Sequence, residues 1–145
     1  MATNPVPFSE YQATPEDIQA ITETCHTYTA GCFIANGEAV RLALHPEFIK
    51  RGIKFFKKRD KLDVSEILTA EQMVNWTKEG AFSNAPESEK TFEITILDVF
   101  RDMANVKVSS YTWMDYLLLA KADDRWVVAL SLYEVRRGIE IAPDL

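Results

Sequence analysis

The chain has 145 residues, 47% of them apolar and 26% charged, and a formal net charge of −6. That length buries roughly two thirds of the unfolded surface in one core. The acidic balance repels phosphate backbones and anionic lipid surfaces, so neither nucleic acid nor a membrane is an expected partner.

No segment approaches the roughly 18 consecutive apolar residues of a membrane span, and the N-terminus lacks the basic and apolar blocks of a secretory signal. A soluble, cytoplasmic protein is expected. Cys25 and Cys32 lie seven residues apart on one predicted helix, about 10 Å along its axis, beyond the roughly 7 Å reach of a disulfide. They are expected to be free, buried thiols in a reducing compartment.

Residues 1–13 read as an extended arm around Phe8 and Tyr11. Thr14 suits an N-cap and Pro15 a first helical position, with Glu16 and Asp17 at the positive end of the helix dipole. Ile18, Ile21, Cys25, Tyr28 and Cys32 then recur at helical spacing and define a buried stripe. Asn36-Gly37 breaks the run. A second short helix begins at Glu38 and stops near Leu44, because Pro46 pushes the residue before it out of the helical region. Residues 48–56 read as extended, 57–61 as a solvated turn and 62–67 as a short strand. Thr69 and Gln72 fit a capping box for a third helix presenting Met73, Trp76 and Thr77.

Residues 81–90, rich in Ser, Asn, Pro and Glu, form a loop, after which the period changes to two. Three long strands follow, with turns near 102–105 and at Asp123-Asp124. Helices followed by strands predict an α+β domain with the helices on one face of the sheet. The expected boundaries are an arm at 1–13, one domain at 14–138 and a tail at 139–145.

This order resembles the nuclear transport factor two-like superfamily, in its lumazine-binding and SnoaL-like branch. So do the runs Ala43-Leu44-His45-Pro46-Glu47-Phe48, Tyr111-Thr112-Trp113-Met114-Asp115-Tyr116 and Arg125-Trp126. The resemblance covers about residues 14–135 and implies a cystatin-like cone: three N-terminal helices packed on a strongly curved antiparallel sheet. It further implies dimerisation through the outer sheet face. In ketosteroid isomerase-like relatives a first-helix tyrosine and two acids carry the chemistry. Tyr28 fits the tyrosine, but Lys50-Arg51-Gly52 stands where the base belongs and Leu118 near the second acid. Abstraction of a proton next to a carbonyl then lacks an agent.

Two readings follow. The first is a small-molecule-binding protein with an apolar, tyrosine-lined pocket, lined by Cys32, Met73, Trp76, Thr77, Tyr116, Leu118, Ser131 and Tyr133, with Ala129 beside them. Its ligand is a small hydrophobic or aromatic molecule. The second is a cofactor-independent isomerase, lyase or cyclase using His45 as base and Tyr28 as donor to a developing oxyanion, His45 otherwise serving as a helix-end cap. No metal ligand set and no cofactor fingerprint is expected. If Lys107 and Lys121 face solvent, Tyr116 and Leu118 point inward. Leu117, Leu119, Trp126, Val128 and Leu130 then form an apolar outer face for a homodimer, with Asp115 on the same face.

Overall fold

The Thr14 hydroxyl accepts the Asp17 backbone N–H at 3.1 Å and starts α1, Pro15–Phe33, as its N-cap position requires. The computed structural model describes residues 12–136 and 138–142. Phe8 and Tyr11 of the expected arm and residues 143–145 of the expected tail lie outside the described residues. On α1, Ile21, Cys25, Tyr28 and Cys32 are buried, whereas Ile18 is 38% exposed. The Asn36 side chain accepts from the Ala39 N–H and caps α2, Gly37–Ala43.

β1, Leu44–Phe56, begins directly where α2 ends. Leu44 pairs with Val128 and Ile49 with Leu130, so residues 45–48 stand against the single residue Ala129. The His45-Pro46-Glu47-Phe48 turn is therefore a large irregular bulge, where a proline without an N–H cannot continue a ladder. Two short strands, β2, Lys61–Val64, and β3, Leu68–Thr69, pair antiparallel with β1. Thr69 and Gln72 form the capping box of α3, Ala70–Lys78. The long strands follow: β4, Phe92–Phe100; β5, Met103–Ser110; β6, Trp113–Ala122; and β7, Arg125–Val135. Asp123 and Asp124, both at positive φ (51° and 60°), make the two-residue turn whose twist matches a β6–β7 hairpin.

The seven-stranded sheet runs β2-β1-β7-β6-β5-β4, with β3 beside β1. Pairing is antiparallel except for β1 on β7, which is parallel. The sheet is thus mixed, and the fold is the expected α+β arrangement of three helices on one face. Its core joins α1, α2 and α3 to Val106, Val108, Leu117, Leu119, Trp126 and Val128.

The pleat phase differs from expectation in β6 and the first half of β7. Lys107 pairs with Tyr116, and directly opposed residues share a face. The solvated Lys107 therefore carries Tyr116 and Leu118 outward, not inward, and both are about half exposed. Asp115, Leu117 and Leu119 turn inward and are at most 2% exposed. In β7 an extra residue, Ala129, shifts the register between the Leu118–Leu130 and Leu119–Val128 pairs. This bulge lets Trp126 and Val128 face the core on one side of it and Ser131 and Tyr133 on the other, while Leu130 and Leu132 face out.

Asp17 fastens α1 to this hairpin. Its Oδ1 accepts from the Trp126 indole at 3.0 Å and from Lys121 Nζ at 3.2 Å. These contacts, Trp126 first, hold the Asp17 carboxyl below the usual carboxylate range against the opposing effect of burial. A carboxylate depressed by folding contributes stability above its unfolded pKa and loses it as pH falls through the folded value. Asp17→Asn should therefore melt below the wild type at pH 7. In thermal unfolding followed across pH, the gap should close as pH falls below about 4.

Candidate functional site

Phe48, Lys50 and Gly52 alternate along β1 on the face that meets the helices, and each is buried. Lys50, 5% exposed, is the unusual member, since a lysine is almost never buried unless it is paired. Its Nζ donates to the Tyr28 hydroxyl at 2.7 Å and to Asp115 Oδ2 at 3.0 Å. Asp115, 1% exposed, accepts at its other oxygen from Ser131 Oγ at 2.6 Å. The ammonium also lies 5.3 Å from the Tyr28 ring centroid and 4.9 Å from that of Tyr133, within the range of cation–π attraction. Four elements meet here: Tyr28 from α1, Lys50 from β1, Asp115 from β6, and Ser131 with Tyr133 from β7.

Gly52 is what lets Tyr133 lie there. The two are register partners on β1 and β7, and a Cβ on Gly52 would stand 2.5 Å from Tyr133 Cε1. The Tyr133 hydroxyl donates to Glu140 Oε2 at 3.1 Å, and Lys54 pairs with the same carboxylate at 3.1 Å. Phe55 N–H donates to the Glu140 carbonyl, and Ala142 N–H to that of Phe55, so the segment ending at Ala142 runs beside β1.

Two cavities of about 310 and 320 Å³ meet at Lys50, Leu68, Trp76 and Tyr133, which line both. The first continues past Lys54, Phe56, Glu66 and Ala142. The second continues past Met73, Phe82, Trp113 and Glu140. Both are mainly apolar. Grooves of about 520 and 580 Å³ elsewhere on the surface are more open, and no buried charged side chain lines either, so the Lys50 cavities are the better candidate.

Burial governs the titratable groups. It pushes the Tyr28 hydroxyl well above its ordinary range, with the Asp115 charge adding to the effect. Tyr133 is raised as well, first by burial and then by Glu140. The Cys25 and Cys32 thiols are pushed up to about 12, mainly by burial. All four stay protonated at neutral pH, so neither thiol has thiolate character.

Of the residues singled out from sequence, Met73, Trp76 and Tyr133 line the cavities. Tyr28 and Ser131 hold the Lys50–Asp115 pair from behind. Cys32 is buried in the core, and the buried Thr77 hydroxyl donates to the Met73 carbonyl within α3. Tyr116 and Leu118 stand on the other side of the sheet for the register reason given above. Ala129, in the β7 bulge, borders an outer hollow with Leu118 and Leu130. His45 lies in the β1 bulge, where its Nδ1 accepts the Glu47 N–H at 2.9 Å; it lines neither cavity.

Lys50 and Asp115 were missed, Asp115 having been expected on the outer face. A signal for Lys50 existed, since it shares strand parity with the apolar Phe48. Asp115 gave none, because Tyr116 and Leu118 are as apolar as Leu117 and Leu119 and alternation cannot reveal the phase.

A family model described as Putative lumazine-binding matches residues 16–134. The chain belongs to that family. Among solved structures of similar fold, an NTF2-like protein from Silicibacter pomeroyi is 17% identical at a TM-score of 0.63, over 86% of this chain and 100% of that one. An NTF2-like protein from Shewanella baltica is 17% identical at 0.64, over 88% and 100%. A ketosteroid isomerase-like protein from Erwinia carotovora is 13% identical at 0.59, over 86% and 100%. These likenesses establish the NTF2-like, cystatin-like fold. No curated protein matches the chain, and among the described residues no helix is long and apolar enough to cross a membrane.

Removing one member of a buried ion pair strands the other charge and typically costs about 3–5 kcal/mol. Lys50→Met should lose stability on that scale in chemical denaturation. Adding Asp115→Leu should recover part of the loss rather than add to it, a non-additivity that a double-mutant cycle measures.

Proposed function

We propose that the protein binds a small, flat, largely apolar molecule in the joined cavities, with Lys50 as its polar anchor. One observation carries the reading: a buried ammonium sits where two apolar cavities meet, with two of its three N–H donors already engaged. A ligand oxygen accepting the third completes its hydrogen bonding. Trp76, Leu68 and Tyr133 supply the ring-sized apolar walls, and the family description agrees with a small heteroaromatic ligand.

The isomerase, lyase or cyclase alternative needs a base inside the cavity. Both oxygens of Asp115 are engaged, by Lys50 and Ser131, His45 is bound to the Glu47 N–H, Glu140 is held by Tyr133 and Lys54, and Glu66 lies exposed at the rim. Binding is therefore the favoured reading. A bicyclic heteroaromatic lactam at about a hundredfold excess over its Kd should raise Tm by about 5 °C or more in a thermal-shift screen. Trp76→Ala, at a 43% exposed position, should fold and lose most of the shift. No stabilisation by any flat heteroaromatic compound would contradict the proposal.

We further infer a homodimer through the outer sheet face. Tyr116, Leu118, Leu130 and Leu132, each 42–48% exposed, stand together there, and an apolar patch of that kind favours a partner. Sedimentation at micromolar concentration should give twice the 16.5 kDa chain mass; a single-chain mass would refute it. The free, buried Cys25 and Cys32 support a cytoplasmic location.

A further inference from the structure

We propose that the Lys50 cavity selects an uncharged ligand bearing a carbonyl-type oxygen and rejects the corresponding carboxylate. The proposal rests on the binding reading above and adds the charge class of the ligand. A lysine at the floor of an apolar cavity ordinarily suggests an anion site. The charge census of this cavity says otherwise.

Among the described residues, two cations line the cavities, Lys50 and Lys54. Each is already matched: Lys50 by Asp115 at 3.0 Å and Lys54 by Glu140 at 3.1 Å. The third carboxylate, Glu66, is exposed at the edge of the first cavity. With Asp115 behind Lys50 counted, the described residues set two positive charges against three negative ones. Arg51, the next residue on β1, is exposed, and its Nε donates to the Ser65 carbonyl.

An anionic oxygen at Lys50 Nζ would share one ammonium with Asp115, whose side chain is 1% exposed. Two carboxylates around one cation in a water-poor site leave one negative charge unmatched and desolvated. A lactam or ketone oxygen accepts the remaining N–H without adding charge. A cationic ligand gains from Glu66 only at the rim, where water screens it, and loses by repulsion from Lys50.

The test uses three compounds of like shape: 2-quinolone, quinoline-2-carboxylate and N-methylquinolinium, titrated by calorimetry at pH 7.5. The wild type should bind 2-quinolone at least about tenfold more tightly than either ion, a difference of about one decade in Kd. Asp115→Asn keeps the shape and removes the matching charge, so the carboxylate should then gain about tenfold and the preference should narrow or invert. Should Asp115→Asn not fold, Glu66→Gln at the exposed rim narrows the lactam-to-carboxylate ratio by about two- to threefold. An unchanged ratio in the folded variant would overturn the proposal. A wild type that prefers either ion overturns the charge selection and leaves the binding reading standing. Binding of none of the three overturns both.

Discussion

The buried pair of Lys50 and Asp115 constrains the rest of this molecule. Two full charges inside a small domain are tolerated only if they neutralise each other and their remaining hydrogen bonds are met. The pair meets the first condition itself, and the Tyr28 and Ser131 hydroxyls meet most of the second, leaving one Lys50 N–H for the cavity. The requirement ties α1, β1, β6 and β7 to one point. It also fixes the parallel register of β1 on β7, since Lys50 must stand opposite Ser131. A slip by one residue would send Lys50 to the outer face and leave Asp115 unmatched.

Two irregularities make that register possible. The bulge at residues 45–48 takes up the excess length of β1 before Lys50, and Ala129 adds one residue to β7 before Ser131. Together they bring two strands of different phase into alignment. Gly52 completes the arrangement by leaving room for the Tyr133 ring. The histidine of the bulge is thus accounted for by backbone geometry: it closes a local contact with the Glu47 N–H.

Much of this fold was legible in the sequence, because helix caps and breaks are local chemistry. Thr14 and Thr69 each cap the helix they introduce, Asn36-Gly37 marks the break between α1 and α2, and the change to a period of two after residue 90 marks the strands. The facing of β6 was not legible. In Tyr116-Leu117-Leu118-Leu119 both faces are apolar, so the pattern fits either phase, and only the Lys107–Tyr116 pairing decides it. The β7 bulge was hidden for the same reason, Val127, Val128, Ala129 and Leu130 offering no polar marker. Of the candidate site, Tyr28 and Trp76 followed from helical spacing and Tyr133 from the family resemblance. The ion pair between them depends on residues 65 apart in sequence, whose meeting no local pattern encodes.

The most direct test is a crystal structure of the protein with 2-quinolone bound. The lactam oxygen should lie about 2.7–3.2 Å from Lys50 Nζ, with the ring between Trp76 and Tyr133 and the Lys50–Asp115 contact intact. A ligand seated elsewhere, or one whose oxygen leaves Lys50 untouched, would contradict the assignment of Lys50 as the anchor.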